Sequence, residues 1–392
     1  MRVGIIGAGI GGLATAVGLQ RAGVPVTVFE RRDGAGDAGS GISLFGNGLA
    51  ALDALGLGPA AREIGAVPGG IGPDTPAGQR RPDGRWLTRL PHSVQQTVAV
   101  VHRADLQRIL LDALAPGTVH TGRPAQSVSV DGRTVDLAGG PETFDVVVAA
   151  DGIGSRMRRD WPGDPGIRSA GYRAWRGVSA QPVDVTAGIG ETVGRGLRFG
   201  IAPLADGRVY WFAVVSEPAG QPTGQPAGQP ALDGPGPVLA AFGGWHRPIR
   251  DIVAATPPEA IRSLPIEELA GRLPTYRRGR CVLLGDAAHA MTPNLGQGGN
   301  QALEDAATLV ALLTDPTIDG RDGRIDAAVA EYDRRRRPRT QRIARQAALL
   351  GRVLQARGPL TAWARDAALR FTPPAVAARG ALAVQRWRPP AG

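Results

Sequence analysis

Three short apolar runs stand out along the chain, and each is closely followed by glycine. They are Val3 to Ile6, a run within residues 144–150, and Cys281 to Leu284. Short runs that are apolar at nearly every position predict strands buried on both faces of a parallel sheet. A helical stretch at 13–21 and another strand at 24–29 follow the first run, so the pattern predicts an α/β fold.

The middle of the chain, from about residue 168 to 274, shows short strands with alternating polar and apolar positions instead. Residues 196–204 and 208–215 flank the turn pair Asp206-Gly207, and this arrangement predicts a hairpin. Residues 220–230 repeat Gly-Gln-Pro three times. This repeat has no packing potential, and we interpret it as a mobile loop insertion.

The end of the chain, residues 340–392, is rich in alanine, leucine and arginine and predicts amphipathic helices. Three roles stay open for these helices: they could close over the parallel sheet, form an oligomer surface, or lie on a membrane surface. The last alternative depends on a basic polar face and on Trp363 and Phe371.

A glycine motif of the GxGxxG type follows the first strand, with Gly7, Gly9 and Gly12. These glycines permit a tight turn, close approach of the backbone to a pyrophosphate, and close helix packing, in that order. Glu30 ends the next strand and can accept a hydrogen bond from a ribose hydroxyl. An acid at this position favours an unphosphorylated adenosine ribose, as in FAD or NAD.

The other two apolar runs end in the pairs Asp151-Gly152 and Gly285-Asp286. Ligands of open α/β sheets bind at the carboxyl ends of the strands, where both pairs are expected. Gly296, Gly298 and Gly299 then precede a helix that begins near Gln301. Bare amides at the positive end of this helix are suited to an electron-rich ring edge.

The order of these three motifs, GxGxxG, DG and GD, resembles that of the group A flavoprotein monooxygenases. These are aromatic hydroxylases related to para-hydroxybenzoate hydroxylase, with salicylate, urate and phenazine hydroxylases as nearer kin. The resemblance spans about residues 1–345. It implies a Rossmann-like FAD-binding domain of the GR2 type (1–64, 98–167 and 275–340), interwoven with a β-sheet substrate domain (65–97 and 168–274) and followed by C-terminal helices (341–392).

The resemblance also assigns residues to the cofactor. The candidates are Gly7, Gly9, Gly12, Glu30, Arg31, Arg103, Asp151, Asp286, Gly296, Gly298, Gly299 and Asn300. Asp286 looks like the ligand of the ribityl or phosphate region, and Asp151 like a residue that helps to bind both FAD and nicotinamide. The amides of 298–300 are expected to face the flavin N1 and C2 oxygen. For Arg103 the alternative is a solvated charge on a helix face.

On the substrate side, the resemblance suggests Arg198, Tyr210 and Pro293 as catalytic candidates. Pro293 resembles the proline at the isoalloxazine face. Arg198 and Tyr210 lie where the similar urate hydroxylases carry an arginine and a tyrosine that face the substrate. The alternative is that both are ordinary sheet residues, Arg198 exposed and Tyr210 in the core. Strand alternation adds further pocket candidates, namely Arg173, Trp175 and Phe212.

The implied reaction begins with reduction of FAD by NADH or NADPH. Oxygen then adds at flavin C4a, and the resulting hydroperoxide transfers one oxygen atom to a small aromatic or heteroaromatic substrate. Because only one GxGxxG is present, we expect a transient nicotinamide site near the flavin. A dehydrogenase or reductase of the same fold and a non-catalytic flavin-binding protein are the alternatives. No base is located; for His289 we expect a structural role.

Composition removes several other classes of protein. All 45 basic residues are arginine, which excludes a Schiff-base lysine and the lysine of a P-loop. The one cysteine, Cys281, excludes an internal disulfide and a cysteine metal cluster, and we expect no metal site. The net charge is +10, yet the basic run at 333–342 lacks interleaved aromatics, which favours a solvated helix face or helix-end cap over nucleic acid. We expect a cytoplasmic monomer or homodimer without stable membrane insertion.

Overall fold

The computed structural model describes residues 1–34, 40–66, 75–217, 232–316 and 322–390. The Gly-Gln-Pro repeat at 220–230 lies outside these ranges. The strands are β1 (Val3–Ile6), β2 (Val26–Phe29), β3 (Gly41–Phe45), β4 (Ala77–Arg80), β5 (Trp86–Arg89), β6 (Val98–His102), β7 (Val119–His120), β8 (Ala125–Val128), β9 (Thr134–Leu137), β10 (Glu142–Thr143), β11 (Val146–Ala149), β12 (Ile167–Val178), β13 (Ile189–Val193), β14 (Leu197–Pro203), β15 (Val209–Ser216), β16 (Arg262–Leu269), β17 (Arg277–Arg278) and β18 (Cys281–Leu283).

The helices complete the list of elements. They are α1 (Ile10–Arg21), α2 (Gly46–Ala54), α3 (Gly58–Glu63), α4 (His92–Gln95), α5 (Arg103–Asp112), α6 (Arg156–Arg159), α7 (Pro235–Phe242), α8 (Ile249–Ala254), α9 (Asp286–His289), α10 (Gly298–Leu313), α11 (Asp322–Leu354), α12 (Pro359–Phe371) and α13 (Pro374–Ala383). No helix within the described ranges is long and apolar enough to cross a membrane.

The first sheet has the strand order β17-β18-β11-β1-β2-β7, and every neighbouring pair except β17 with β18 is parallel. β1, β11 and β18 are buried at every position, which explains their uniformly apolar sequences. Ile6 pairs with Ala149, and Ala149 pairs with Leu283. The carboxyl ends of these three strands therefore lie side by side at one edge of the sheet.

Helices α1 and α10 pack against each other beside this sheet, and glycine makes the close approach possible. A Cβ atom added to Gly18 would lie 2.8 Å from Cγ2 of Val310, and one added to Gly11 would lie 3.2 Å from Cβ of Ala302. Larger residues at these two positions of α1 would push α10 away. The position of α10 is thus fixed by packing against the first helix of the chain.

The second sheet has the strand order β16-β12-β15-β14-β13-β4-β5. The predicted hairpin is present as the antiparallel pair β14 and β15. Strands β4 and β5 come from an earlier segment, and β4 joins the sheet through parallel pairing with β13. One face of the sheet packs on α7 and α8 through a core that includes Phe199, Trp211 and Phe242.

The α/β fold with a parallel sheet, a second strand-rich sheet and C-terminal helices is confirmed. The division into domains at the residues given above remains a prediction. Helix α11 runs from Asp322 to Leu354 and so passes through the boundary expected between residues 340 and 341.

The basic run at 333–342 lies inside α11, and not at a helix end. Arg334 and Arg335 are exposed and pair with Glu331 one turn earlier. Arg336, in contrast, has a side chain that is only 1% exposed. The expectation of a solvated helix face is therefore wrong for Arg336, because acidic side chains on α10 hold it in the interior.

Candidate active site

The loop between β1 and α1 carries the three glycines of the first motif. Gly7 has a φ of +106°, and a Cβ atom added there would lie 2.4 Å from the carbonyl oxygen of Ala150. A Cβ atom added to Gly12 would lie 2.1 Å from the carbonyl oxygen of Gly7. Gly9 has open space around it, and no side chain caps the first amides of α1. The loop therefore presents unobstructed N–H groups at a positive helix end.

Glu30 and Arg31 follow β2 and lie beside this loop. The Glu30 carboxylate accepts hydrogen bonds from the backbone N–H groups of Ala8 (2.8 Å) and Arg32 (3.0 Å). These contacts fix the carboxylate next to the glycine motif and leave each oxygen with further accepting capacity. Arg31 is exposed.

Asp286 and Arg103 lie together at the edge of the first sheet. Asp286 is the first residue of α9 and follows Gly285, whose φ is +63°. Arg103 begins α5, and both side chains line one cavity. Burial by the surrounding protein lowers the pKa of Arg103, while the charge of Asp286 partly opposes this effect. Arg103 is nonetheless exposed to solvent in this structure, so its assignment to the cofactor and the alternative of a solvated charge both remain predictions.

Asp151 lies in the turn between β11 and α6. Its Oδ2 accepts a hydrogen bond from the backbone N–H of Arg156 (2.8 Å) at the start of α6. The neighbouring Gly152 lines the cavity, whereas Asp151 is not among the lining residues. In this structure Asp151 therefore shapes the turn that carries Gly152, and a direct contact with cofactor or nicotinamide stays a prediction.

The amino end of α10 forms another wall of the cavity, through Gly296, Gly298 and Gly299. No side chain caps this helix, so its first amides are open. The side chain of Asn300 is fully buried and ties the loop to β3: its Oδ1 accepts from Phe45 N (2.9 Å), and its Nδ2 donates to the carbonyl oxygens of Ser43 and Gly296 (both 2.9 Å). Asn300 holds the wall in place from behind.

A buried ion-pair cluster lies behind that wall and was not predicted from the sequence. Arg336 on α11 donates from Nε to Asp305 (2.6 Å) and from Nη2 to the side chain of Gln301 (2.9 Å), and it also pairs with Glu304. Although burial alone would raise the pKa of Asp305, the charges of His289 and Arg336 hold it at about 2. The cluster joins α9, α10 and α11.

His289 belongs to this cluster and not to the cavity. Its Nε2 lies 2.6 Å from Oδ2 of Asp305, which also accepts from the backbone N–H of Gly285 (3.0 Å). The imidazole is 2% exposed. The expected structural role of His289 agrees with this placement, and no histidine occurs among the described residues that line the cavity.

The cavity has a volume of about 420 Å³ and lies between the glycine loops and the second sheet. Its sheet wall consists of side chains that share one face of β12, β14 and β15. These are Ala174, Arg176, Arg198, Tyr210, Phe212 and Val214, and Glu191 on β13 joins them. Pro293 and Asn294 close one end. A single cavity thus contains the predicted cofactor loops and the predicted substrate residues.

Arg198 is held tightly at the junction of the two walls, and its side chain is only 3% exposed. It pairs with Glu191 on β13 (3.1 Å) and donates to Oδ1 of Asn294 (2.7 Å). Asn294 in turn donates to the hydroxyl of Tyr172 (2.8 Å). The alternative of an exposed Arg198 is wrong, because the carboxylate of Glu191, which the sequence analysis missed, compensates its charge inside the fold.

Two of the predicted pocket residues on β12 are wrong by one position. Trp175 is buried in the core on the opposite face of the sheet and donates from Nε1 to the carbonyl oxygen of Leu232 (2.6 Å). Arg173 pairs with Glu217 (2.7 Å) outside the cavity. Ala174 and Arg176 line the cavity instead of Arg173 and Trp175. Because side chains alternate along a strand, an error of one residue exchanges the faces.

Tyr210 faces the cavity as a neutral phenol. Burial raises its pKa, and the nearby Arg176 opposes this only in part. Burial likewise raises the pKa of Tyr172. Neither tyrosine supplies a phenolate at neutral pH, so neither is a ready base at this pH, and the hydroxyl of Tyr172 already accepts a hydrogen bond from Asn294.

Comparison with known proteins agrees with this geometry. The FAD binding domain family model matches residues 1–232 and 242–347. The aurachin C monooxygenase/isomerase of Stigmatella aurantiaca is 34% identical over 94% of this chain and 93% of that protein. The 3-amino-4-hydroxybenzoate 2-monooxygenase of Streptomyces cremeus is 34% identical over 88% of this chain and 86% of its own. The chain belongs to the FAD-dependent aromatic monooxygenase family.

A solved structure of a similar protein supports the fold and the cofactor of this monooxygenase. The crystal structure of Klebsiella pneumoniae HpxO with FAD and uric acid superimposes with a TM-score of 0.84, at 28% identity, over 98% of this chain and 96% of that one. FAD is thus the cofactor. The open amides of α1 and α10, the space at Gly9 and the Arg103–Asp286 pair fit an anionic dinucleotide.

The glycine loop yields a first prediction, in which Gly9 and Gly12 respond differently to alanine. Gly9→Ala fills space that FAD needs, so FAD affinity falls about tenfold or more while the stability of the cofactor-free protein is unchanged. Gly12→Ala forces a backbone clash and lowers the free energy of unfolding by about 1–3 kcal/mol. FAD titration and urea unfolding measure the two effects.

The matched control is Gly236→Ala in α7. As at Gly9, an added Cβ atom there has no neighbour within 4 Å, but Gly236 does not line the cavity. It should leave FAD affinity unchanged. Equal FAD affinities for Gly9→Ala and Gly236→Ala would contradict the placement of the cofactor at this loop.

The buried cluster yields a second prediction. Arg336→Met leaves Glu304 and Asp305 buried without the cation that they share, so the free energy of unfolding falls by about 3–5 kcal/mol. Arg334→Met, in the same run but 74% exposed, should cost less than about 1 kcal/mol. Chemical unfolding of both variants and of Arg336→Lys, for which we expect an intermediate loss, measures the effect. Equal stability of the Arg336 and Arg334 variants would show that the cluster is not structural.

Proposed function

We propose that this protein is a monooxygenase that consumes NADH or NADPH and hydroxylates or epoxidises a planar aromatic or heteroaromatic molecule bearing an acidic group. The observation that carries the proposal is the single cavity in which cofactor loops face Arg176, Arg198 and Tyr210. In this family the bound FAD supplies the redox chemistry, namely hydride acceptance and activation of O₂. The protein supplies position, charge and protection from water.

The cofactor wall is suited to a ring that becomes negatively charged when it is reduced. The open amides of Gly298 and Gly299 at the positive end of α10 would hold the N1 and C2 oxygen edge of the flavin. Pro293 would lie against the ring face, and Asp286 with Arg103 would hold the ribityl and phosphate region. These roles come from the family resemblance, and the position of each residue on the cavity wall supports them.

The substrate wall carries an arginine whose charge the protein leaves available. Arg176 lines the cavity, and no ion pair or hydrogen bond of its side chain is found among the described residues. Arg198, in contrast, is neutralised by Glu191. Arg176 would therefore bind an acidic group of the substrate, while Tyr210 donates a hydrogen bond to a ring oxygen. This chemistry suits substrates such as those of the similar proteins, 3-amino-4-hydroxybenzoate and uric acid.

The substrate's own acidity replaces a protein base in this proposal. Of the described cavity residues none is a histidine, Tyr210 is protonated at neutral pH, and the carboxylate of Glu191 is held in an ion pair with Arg198. A substrate whose acidic group donates electrons into its ring, and which arrives ionised and is held so by Arg176, is already electron-rich enough for attack on an activated oxygen. Neutral, apolar rings should therefore be poor substrates.

The proposed function is tested by supplying isotopically labelled O₂ to the FAD-loaded protein with NADH or NADPH and a panel of acidic and neutral aromatic compounds. We expect NAD(P)H oxidation to be stimulated by acidic ring compounds, with one labelled oxygen atom in the product. NAD(P)H oxidation that yields only peroxide across the panel, or a product without label, would favour the dehydrogenase or reductase alternative.

The third prediction compares two arginines on opposite faces of β12, Arg176 in the cavity and Arg173 outside it. Arg176→Gln should raise KM for an acidic substrate about tenfold or more, because a charge-assisted hydrogen bond is lost, and should leave FAD content unchanged. Arg173→Gln removes an arginine three residues earlier that faces away from the cavity, and KM should stay the same. Steady-state kinetics measures KM, and flavin absorbance measures the FAD content of each variant. A similar KM for the two variants would remove Arg176 from the substrate site.

A further inference from the structure

The C-terminal helices expose most of the large apolar side chains that the described chain leaves in solvent. Nine large apolar residues are exposed in the described ranges, and six belong to residues 349–376. These six are Leu349 (61%), Val353 (44%), Leu360 (80%), Trp363 (66%), Phe371 (79%) and Val376 (54%). Such clustering differs from the scattered single exposures that are normal on a protein surface.

Helix α12 has its apolar side turned outward. At about 100° per residue, Leu360, Trp363 and Phe371 fall within an arc of roughly 80° on one side of the helix. We name these three residues the C-terminal apolar face. Arg365 and Asp366 lie on the opposite side and are buried.

The inward side of α12 anchors the helix through polar contacts. Arg365 donates from Nη1 to the carbonyl oxygens of Gly194 (2.7 Å) and Leu354 (3.1 Å), and Asp366 pairs with Arg81 (2.8 Å). The helix is therefore fixed with this side inward, where Ala362 and Leu369 also pack, and the C-terminal apolar face does not belong to the protein's own core. A helix that is held in this orientation needs a partner for its apolar side.

The charge of the C-terminal segment identifies the kind of partner. Residues 341–392 contain nine arginines and one acid, Asp366, so this segment carries +8 of the net charge of +10. Eight of the nine arginines are exposed, and none of these eight forms a salt bridge within the part of the chain that the structure describes. A second copy docked through the same face would bring like charges together, whereas an anionic lipid surface would neutralise them.

We propose that the C-terminal apolar face attaches the protein peripherally to anionic membrane surfaces. Leu360, Trp363 and Phe371 would enter the boundary between headgroups and acyl chains, and flanking arginines such as Arg370 would contact lipid phosphates. The helix lies along the surface and does not span the bilayer. This inference rests on α12 and on the charge of residues 341–392, and it is independent of the proposed reaction.

The test uses the FAD-loaded full chain and vesicle flotation. Two kinds of vesicle are compared: phosphatidylcholine alone, and phosphatidylcholine in which a part is replaced by phosphatidylglycerol. We expect binding to the anionic vesicles only, weakened by added salt because the charge attraction is screened. Vesicles with brominated acyl chains should quench tryptophan fluorescence in the wild type, and less so in Trp363→Phe.

Matched variants separate this face from the rest of the surface. Leu360→Ser combined with Phe371→Ser should weaken partitioning about tenfold or more, and Arg370→Gln about fivefold. Leu264→Ser, at an exposed apolar residue on β16, and Arg247→Gln, at an exposed arginine, are the controls and should bind like the wild type. Because all these positions are exposed, flavin content and thermal unfolding should not change.

Three outcomes would overturn the proposal. The first is a lack of binding to either kind of vesicle. The second is equal binding by the Leu360/Phe371 double variant and the Leu264 control. The third is that the wild type forms a dimer in sedimentation analysis, that the double variant is a monomer, and that the wild type does not bind vesicles. This result would assign the face to a second copy of the chain.

Discussion

The parallel register of β1, β11 and β18 is the constraint on which the site depends. Ile6, Ala149 and Leu283 lie side by side, so the three turns that follow them emerge at one edge of the sheet. The glycine motif, the turn at Asp151-Gly152 and the start of α9 meet there although they are more than a hundred residues apart in the chain. A slip of one strand by one residue would turn its buried side chains to the other face and separate these turns.

Helix α10 extends this edge into a wall of the cavity, and buried charge fixes its position. Gly11 and Gly18 let α1 approach it, while Arg336 binds Glu304 and Asp305 from the other side. Ion pairs of this kind add little net stability compared with apolar packing, but a missing partner costs several kcal/mol. We infer that the cluster defines one position of the helix end, where reduction of the cofactor would place negative charge.

The motifs could be predicted from the sequence because each depends on local geometry. Glycine at 7, 9 and 12, and the acid at 30, have meaning within one β-α-β unit, and the structure places them as that unit requires. The hairpin of β14 and β15 was predictable for the same reason, since its turn residues and alternation lie within twenty residues. The order of the three motifs along the chain resembles that of a known family, and this resemblance added the prediction that the cofactor is FAD.

The parts that could not be predicted depend on contacts between distant segments. Glu191 meets Arg198 only because β13 and β14 are neighbours, and Arg336 is buried only because α11 crosses α10. On β12 the register is regular from Tyr172 to Val178, so neighbouring residues face opposite sides of the sheet, and Arg173 was a wrong candidate because its set of alternate residues faces away from the cavity. Alternation gives two faces for every strand, and local sequence does not tell which face meets the cavity.

The most direct test of the central claim is a crystal structure of the protein with FAD bound. The account predicts that the diphosphate lies on the amides of α1, that the N1 and C2 oxygen edge of the flavin lies on the first amides of α10, and that the free ring face looks toward Arg176, Arg198 and Tyr210. A flavin whose ring edge lies away from α10, or whose free face is separated from that sheet wall, would contradict it.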